Sequence, residues 1–280
     1  MGPSTKACYF CARTGNLTKE HVWPQWMRAV AGDLEPQRYT HAAGFARIGL
    51  DSWQEHPTLV VEQPGSVLTA RVREVCRDCN SGWMSRLEQA TRPHLDLLGQ
   101  NCYPLGRTTI SPEAAALVAV WALKTSWIRE LASPGCRTPT ASMREHLQRW
   151  LTPPAGTAVW AARHSGQLNF DSRTSRATMQ HAEHDWSGTD TRDVLVSVLT
   201  WGGLSLLSRT DNGPGVPPMR PDPDVWAQLW PVSDSIQWPP VTAASDATVQ
   251  HVSKTFPWAR LPDLPKFVRD SRGVVQTRRN

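Results

Sequence analysis

Two Cys-x-x-Cys pairs, Cys8/Cys11 and Cys76/Cys79, flank the step Lys19-Glu20-His21-Val22-Trp23-Pro24, and Asn80 follows the second pair directly. Four thiolates in two close pairs suit one tetrahedral Zn2+, each sulfur at about 2.3 Å. The 64 residues between Cys11 and Cys76 exceed the gap of a compact zinc ribbon. The metal is therefore expected to pin together pieces distant in sequence, supplying on the order of 10 kcal/mol of apparent stability. The residues beside the cysteines suit a second chemistry. His21 titrates near neutrality and can accept a proton. Glu20 and the uncharged side-chain oxygen of Asn80 suit a hard cation, Mg2+ or Mn2+. Phosphodiester hydrolysis needs that combination: a deprotonated water, positive charge on the phosphate and help for the leaving oxygen.

These groups need elements to carry them. Asn16-Leu17-Thr18-Lys19 leads into Glu20-His21-Val22-Trp23 as a short strand, which Pro24 stops. Residues 26–30 fit a helical turn. Gly32 to Gly65 has scattered Gly, Pro and His and reads as a loop, with one short strand at Thr58–Glu62. Val67–Val75 alternates and is β-branched, which predicts a second strand that delivers Cys76-Arg77-Asp78-Cys79. Asn80 or Ser81 then caps a helix with Trp83, Met84, Leu87 and Ala90 at helical spacing, kinked or restarted at Pro93. The predicted order is strand, strand, helix, with a cysteine knuckle before each half.

With the residues in that order, the chain resembles an HNH nuclease of the ββα-metal fold with a four-cysteine zinc staple. The resemblance rests on Cys8-x-x-Cys11, Glu20-His21-Val22-x-Pro24 and Cys76-x-x-Cys79-Asn80, and covers roughly residues 8–90. It implies that His21 is the general base and that Glu20 and Asn80 ligate the catalytic divalent ion. The family more often has Asp where Glu20 stands. Its middle Asn falls near Arg71, which cannot accept a hydrogen bond and is expected to hold a phosphate instead. Arg71, Arg73 and Arg77 are the candidate contacts to the nucleic-acid backbone.

The rest of the chain is clearer as structure than as chemistry. Ser111 caps and Pro112 opens a helix whose face carries Ala114, Leu117, Val118, Trp121, Thr125, Ile128 and Leu131, ended by Pro134-Gly135. Thr140–Leu151 fits a second helix, with Ser142 and Glu145 spaced as a capping box. Pro153-Pro154 marks a turn. The period then changes to two. Ala158–Arg163 and Gln167–Phe170 flank Ser165-Gly166, and Asp193–Trp201 and Leu204–Ser208 flank Gly202-Gly203, as two hairpins. Val225–Val232 reads as a further strand, and the end is a basic tail with Arg269, Arg272, Arg278 and Arg279. Trp121, Trp127 and Trp150 are expected in the core, with Lys124 and Arg129 on a solvated face. His181-Ala182-Glu183-His184-Asp185 reads as exposed polar residues, and Cys102 and Cys136 as ordinary buried thiols.

Composition bounds the class. The 280 residues are 40% apolar and 20% charged, which predicts a packed core and excludes a disordered chain. A net charge of +5 fits a polyanionic partner and equally an ordinary surface with heavy arginine usage. Met1–Tyr9 lacks an apolar run, and Val194–Leu207 is too short and polar to span a bilayer. A cytoplasmic protein is expected, whose reducing surroundings favour Cys-x-x-Cys pairs as metal ligands. The expectation is an α+β protein with an amino-terminal ββα-metal module over residues 1–100, a helical segment over 101–152 and a mixed β region over 153–280. Its expected activity is metal-dependent hydrolysis of phosphodiester bonds in double-stranded DNA, with structural Zn2+ and catalytic Mg2+ or Mn2+. The competing expectations are a zinc-stapled nucleic-acid-binding module that does not cut and, more remotely, a thiol redox protein. Oligomeric state is left open.

Overall fold

Strand β1 (Leu17–His21) and strand β4 (Arg71–Cys76) form an antiparallel pair in which Leu17 faces Cys76 and His21 faces Arg71. A shift of register between Thr18 and Glu20 interrupts the pair. The computed structural model of the protein describes residues 6–31, 39–48, 53–63, 67–100, 106–132, 137–180, 191–213, 219–254, 266–269 and 275–278. Between β1 and β4 come helix α1 (Met27–Ala31) and strands β2 (Tyr39–Ile48) and β3 (Trp53–Gln63). The last two pair antiparallel with an irregularity between Ala43 and Phe45. The stretch expected as a loop over 32–65 therefore contains an antiparallel strand pair, and the expected short strand lies within β3. Ala, Gly and Pro57 break its apolar alternation, which is why period-two reasoning passed over it.

After β4 the chain turns helical. A π-helical stretch at Cys79–Met84, with Gly82 at φ −94° and ψ −108°, leads into helix α2 (Ser85–Gln100). No side chain caps this start, so Asn80 and Ser81 do not have the expected capping role. Pro93 lies inside α2 without ending it. A helix-interior proline costs about 3 kcal/mol, whereas buried Leu87, Leu95 and Leu98 each contribute about 1.5–3 kcal/mol, so burial wins. The buried stripe continues through Thr91, whose hydroxyl donates to the Leu87 carbonyl at 2.8 Å; Ala90 is exposed.

Strand β5 (Thr108–Ile110) precedes helix α3 (Pro112–Leu131), the pivot of the fold. Ser111 caps α3 as expected, its side chain accepting from the Ala114 amide at 3.3 Å. Every residue from Val118 to Leu131 is buried. The helix packs on α2 and also on the large sheet, and a helix covered on both sides is apolar nearly all round. Lys124 and Arg129, expected in solvent, are wholly buried. Polar groups on this helix find partners in the sheet: Ser126 pairs with Ser208 at 2.7 Å, the Trp127 indole donates to Thr210 at 2.9 Å, and Arg129 donates to Ser172 at 3.2 Å. Trp121 and Trp127 are core as expected, whereas Trp150 is exposed.

Helix α4 (Ala141–Trp150) follows, capped by Thr140 rather than Ser142. Strands β6 (Thr157–Arg163), β7 (Asp171–Gln180), β8 (Thr191–Trp201), β9 (Leu204–Asp211) and β10 (Ala227–Trp230) form an antiparallel sheet in the order β10-β6-β9-β8-β7. The Gly202-Gly203 turn joins β8 to β9, with Trp201 opposite Leu204. The hairpin expected across Ser165-Gly166 does not form, because β6 pairs with β9 and β10. The amides of Gln167 and Leu168 donate instead to the Asp246 carboxylate, at 2.8 and 3.0 Å. Asp246 opens helix α5 (Asp246–Lys254), which comes after strand β11 (Ile236–Trp238), the partner of β5. Strands β12 (Lys266–Arg269) and β13 (Val275–Arg278) pair and contain Arg269 and Arg278 of the basic tail. Arg272, Arg279, Cys102, Cys136 and the stretch His181–Asp185 lie outside the described residues.

One apolar cluster runs from Cys8 through Trp121 and Leu199 to Trp238, so residues from 1–100, 101–152 and 153–280 share a core. The protein is mixed α+β with antiparallel sheets. No helix among the described residues is long and apolar enough to cross a membrane.

Candidate metal centre and active site

The four knuckle cysteines come together. Their Sγ atoms all lie within 4.8 Å of one another, and Cys11 and Cys76 are 3.6 Å apart. Four sulfurs around one Zn2+ are separated by roughly 3.8 Å, so the cluster has room for one metal ion. Local turns set this geometry. The Cys8 amide donates to the Arg13 carbonyl at 2.9 Å and the Ala12 amide to the Cys8 carbonyl at 3.0 Å, folding the first knuckle back on itself. The Tyr9 amide reaches the Glu74 carbonyl on β4 at 2.8 Å, and the Cys76 amide donates to Cys8 Sγ at 3.3 Å. Phe10 stacks edge-on against Trp83, ring centres 5.0 Å apart, which docks the knuckle on the helical stretch after β4. The hydrogen bond with Cys79 is the main cause that draws the Cys8 thiol down to about 4, and the same contact drives the Cys79 thiol up. Four protein ligands complete a tetrahedron and leave no open position, which is the pattern of a structural site.

His21 closes β1, half-buried. The Arg71 Nε donates to His21 Nε2 at 2.8 Å, across the strand pair in which the two residues are register partners. The Gln25 carboxamide lies 3.3 Å from Nδ1. Burial, then the charges of Arg71 and Arg28, push the imidazole below its ordinary value of 6.5, with Glu88 opposing. His21 is accordingly a neutral imidazole at neutral pH.

Glu20 and Asn80 stand elsewhere. Asn80 donates from its amide nitrogen to the Thr18 hydroxyl at 3.0 Å, and that hydroxyl donates to the Val75 carbonyl at 3.1 Å. Asn80 thus fastens the start of the helical stretch to the strand pair. The Glu20 carboxylate is buried, 3.9 Å from Lys124 Nζ on α3, and the same ammonium donates to Glu88 on α2 at 2.6 Å. Burial, the larger effect, lifts the Glu20 carboxyl from 4.5 to about 7; Lys124 opposes and Glu88 adds to the rise. The donor set expected for a divalent ion does not fit one as the side chains stand. A fixed, wholly buried ammonium already flanks the one carboxylate of the pair, and two positive charges on a shared carboxylate repel strongly in a dry interior. Each of the two side chains expected to grip one Mg2+ or Mn2+ thus has a protein partner, Lys124 for Glu20 and Thr18 for Asn80.

Among the arginines, Arg71 bonds His21, Arg73 Nε donates to the Leu17 carbonyl at 3.3 Å, and Arg77 is exposed. Arg28 and Glu88, which act on the charge of His21, are not singled out by the sequence, and Lys124, which lies beside Glu20, reads there as a solvated residue. For Lys124 a signal existed: apolar residues on every side of it in Ala119–Ile128 mark a helix without a wet face. No family model matches the chain, and neither a curated protein nor a solved structure is similar to it.

Proposed function

We propose that this protein is a nuclease that hydrolyses phosphodiester bonds in DNA, with His21 as general base and Zn2+ in the four-cysteine cluster. The observation that supports this reading best is the half-buried imidazole of His21 at the end of β1, with the Arg71 Nε 2.8 Å from its Nε2. A bare imidazole nitrogen removes a proton from water, the resulting hydroxide attacks phosphorus, and the bond to the 3′ oxygen breaks as that oxygen takes a proton from solvent. Guanidinium groups offset the charge gathering on the phosphate oxygens. Arg71, Arg73, Arg77 and Arg28 offer contacts to the backbone, which fix register without reading sequence.

The test is nicking of a supercoiled plasmid with Mg2+ or Mn2+ added, wild type beside His21→Ala. The variant should lose about 10²- to 10⁴-fold in rate while retaining its zinc and its melting temperature. Equal cleavage by both proteins would refute the role of His21. The second reading is a nucleic-acid-binding protein that does not cut, favoured by the burial of Glu20 against Lys124. It predicts a gel shift with short DNA but intact plasmid under either ion.

A further inference from the structure

The bond between Arg71 and His21 has a consequence for the order of events. A guanidinium only donates hydrogen bonds, so the nitrogen that accepts from Arg71, Nε2 at 2.8 Å, must be the bare one. The proton of the neutral ring is then on Nδ1; the Gln25 amide nitrogen stands 3.3 Å from it, so the Gln25 carboxamide must turn over to present its oxygen to that proton. A neutral imidazole has a single basic lone pair, and here Arg71 occupies it. His21 cannot take a proton from water while that bond is closed.

We infer that Arg71 is a phosphate-operated latch: a phosphodiester group draws its guanidinium away from His21 Nε2, and only then is the base free. This inference rests on the nuclease reading for its purpose, though not for its geometry. Arg71 is exposed, and its partner is an uncharged nitrogen. A phosphate offers the same fork two charged oxygens, so one bond to a neutral nitrogen is exchanged for a bidentate pair between opposite charges. The exchange therefore runs toward the phosphate. Arg28 does not replace the latch, because its Nε is committed to the Leu68 carbonyl at 3.3 Å. The base is thus idle in the free protein and armed by the backbone of its own substrate. Arg71 acts as a positioning residue that couples binding to proton transfer.

The test uses the full-length, zinc-loaded protein labelled with nitrogen-15 at histidine, without other divalent ions, and His21→Gln to identify the signals. In the free protein His21 should carry its proton on Nδ1, with Nε2 at the shift of a hydrogen-bonded acceptor. A short DNA duplex should move Nε2 to the position of an unbonded nitrogen, and inorganic phosphate should do the same at higher concentration. Arg71→Ala should show the unbonded position from the start and no further movement. Its cleavage should display a raised KM for the plasmid, because Arg71 also contacts the phosphate, and the nitrogen-15 shift is the readout that separates the latch from that contact. A proton on Nε2 in the free wild type, or an Nε2 signal that ignores both duplex and phosphate, would overturn the latch. Should Arg71→Ala fail to fold, the wild-type spectra decide alone. The two failures are distinct. A moving signal in a protein that never nicks keeps the latch and ends the nuclease reading, whereas nicking with an unmoved signal does the reverse.

Discussion

Cys76→Ser is expected to cost the protein both metal binding at the four-cysteine cluster and its cooperative fold. Cys76 ends β4, and through its amide and its sulfur it touches both knuckle cysteines of the first pair. Removing one thiolate opens the tetrahedron, and apparent zinc-site free energies are on the order of 10 kcal/mol. Whole-domain stability is about 5–15 kcal/mol, so little margin remains. Among the contacts left to hold residues 8–11 in place are Phe10 against Trp83, the Tyr9 amide on the Glu74 carbonyl and Arg144 over the Tyr9 ring. Aromatic pairs contribute roughly 0.5–1.5 kcal/mol each beyond area burial, too little to compensate. Metal analysis should find one zinc per wild-type chain and a much reduced content in the variant, with a lost or strongly lowered thermal transition. A chelator strong enough to strip zinc should produce the same unfolding in the wild type. A Cys76→Ser protein that melts where the wild type does would dismiss the staple.

What the sequence made readable was set locally. The β1, β4, α2 order follows from the short strand before Pro24, from alternation over Val67–Val75, whose first three residues form a 3-10 turn instead, and from helical spacing after Cys79, and knuckle spacing fixed the cysteine cluster. Ser111-Pro112 and Gly202-Gly203 are equally local signals, and both behave as read. The misreadings arise where a distant segment decides. Glu20 looks available to a cation in its own strand, but α3 arrives a hundred positions later and places Lys124 against it. Ser165-Gly166 has a turn's composition, yet Asp246 claims the amides that follow and β9 claims β6. Asn80 has a helix cap's chemistry but finds a hydroxyl on β1. In each case a tertiary partner outweighed a local preference by a hydrogen bond or ion pair that no short window contains.

Glu20 and Lys124 carry the other large effect, and it has a sign in pH. Burial raises the folded-state Glu20 carboxyl from 4.5 to about 7. As pH climbs past 4.5 the unfolded chain releases this proton while the folded chain retains it, so stability falls until the folded carboxyl has also ionised, near 7. The accumulated loss is on the order of 3 kcal/mol. Glu20→Gln abolishes this titration, so the variant's stability relative to wild type should improve across that window, measured by denaturant unfolding at fixed zinc. Cysteine protonation weakens the zinc site at the acid end with the opposite slope, but it acts on both proteins and cancels in the difference. A flat difference would show that Glu20 is not held in a dry site. Lys124→Met probes the same cluster from the other side. It leaves Glu88 ionised without its 2.6 Å partner and Glu20 without its nearest positive charge. Breaking a buried ion pair from one side costs about 3–5 kcal/mol. The double variant Glu20→Gln/Lys124→Met should recover part of that loss, because Glu88 retains some contact with water and can rehydrate, whereas Glu20 cannot. Additive losses in the double variant would mean that the two side chains do not interact, and would reopen Glu20 to a divalent ion.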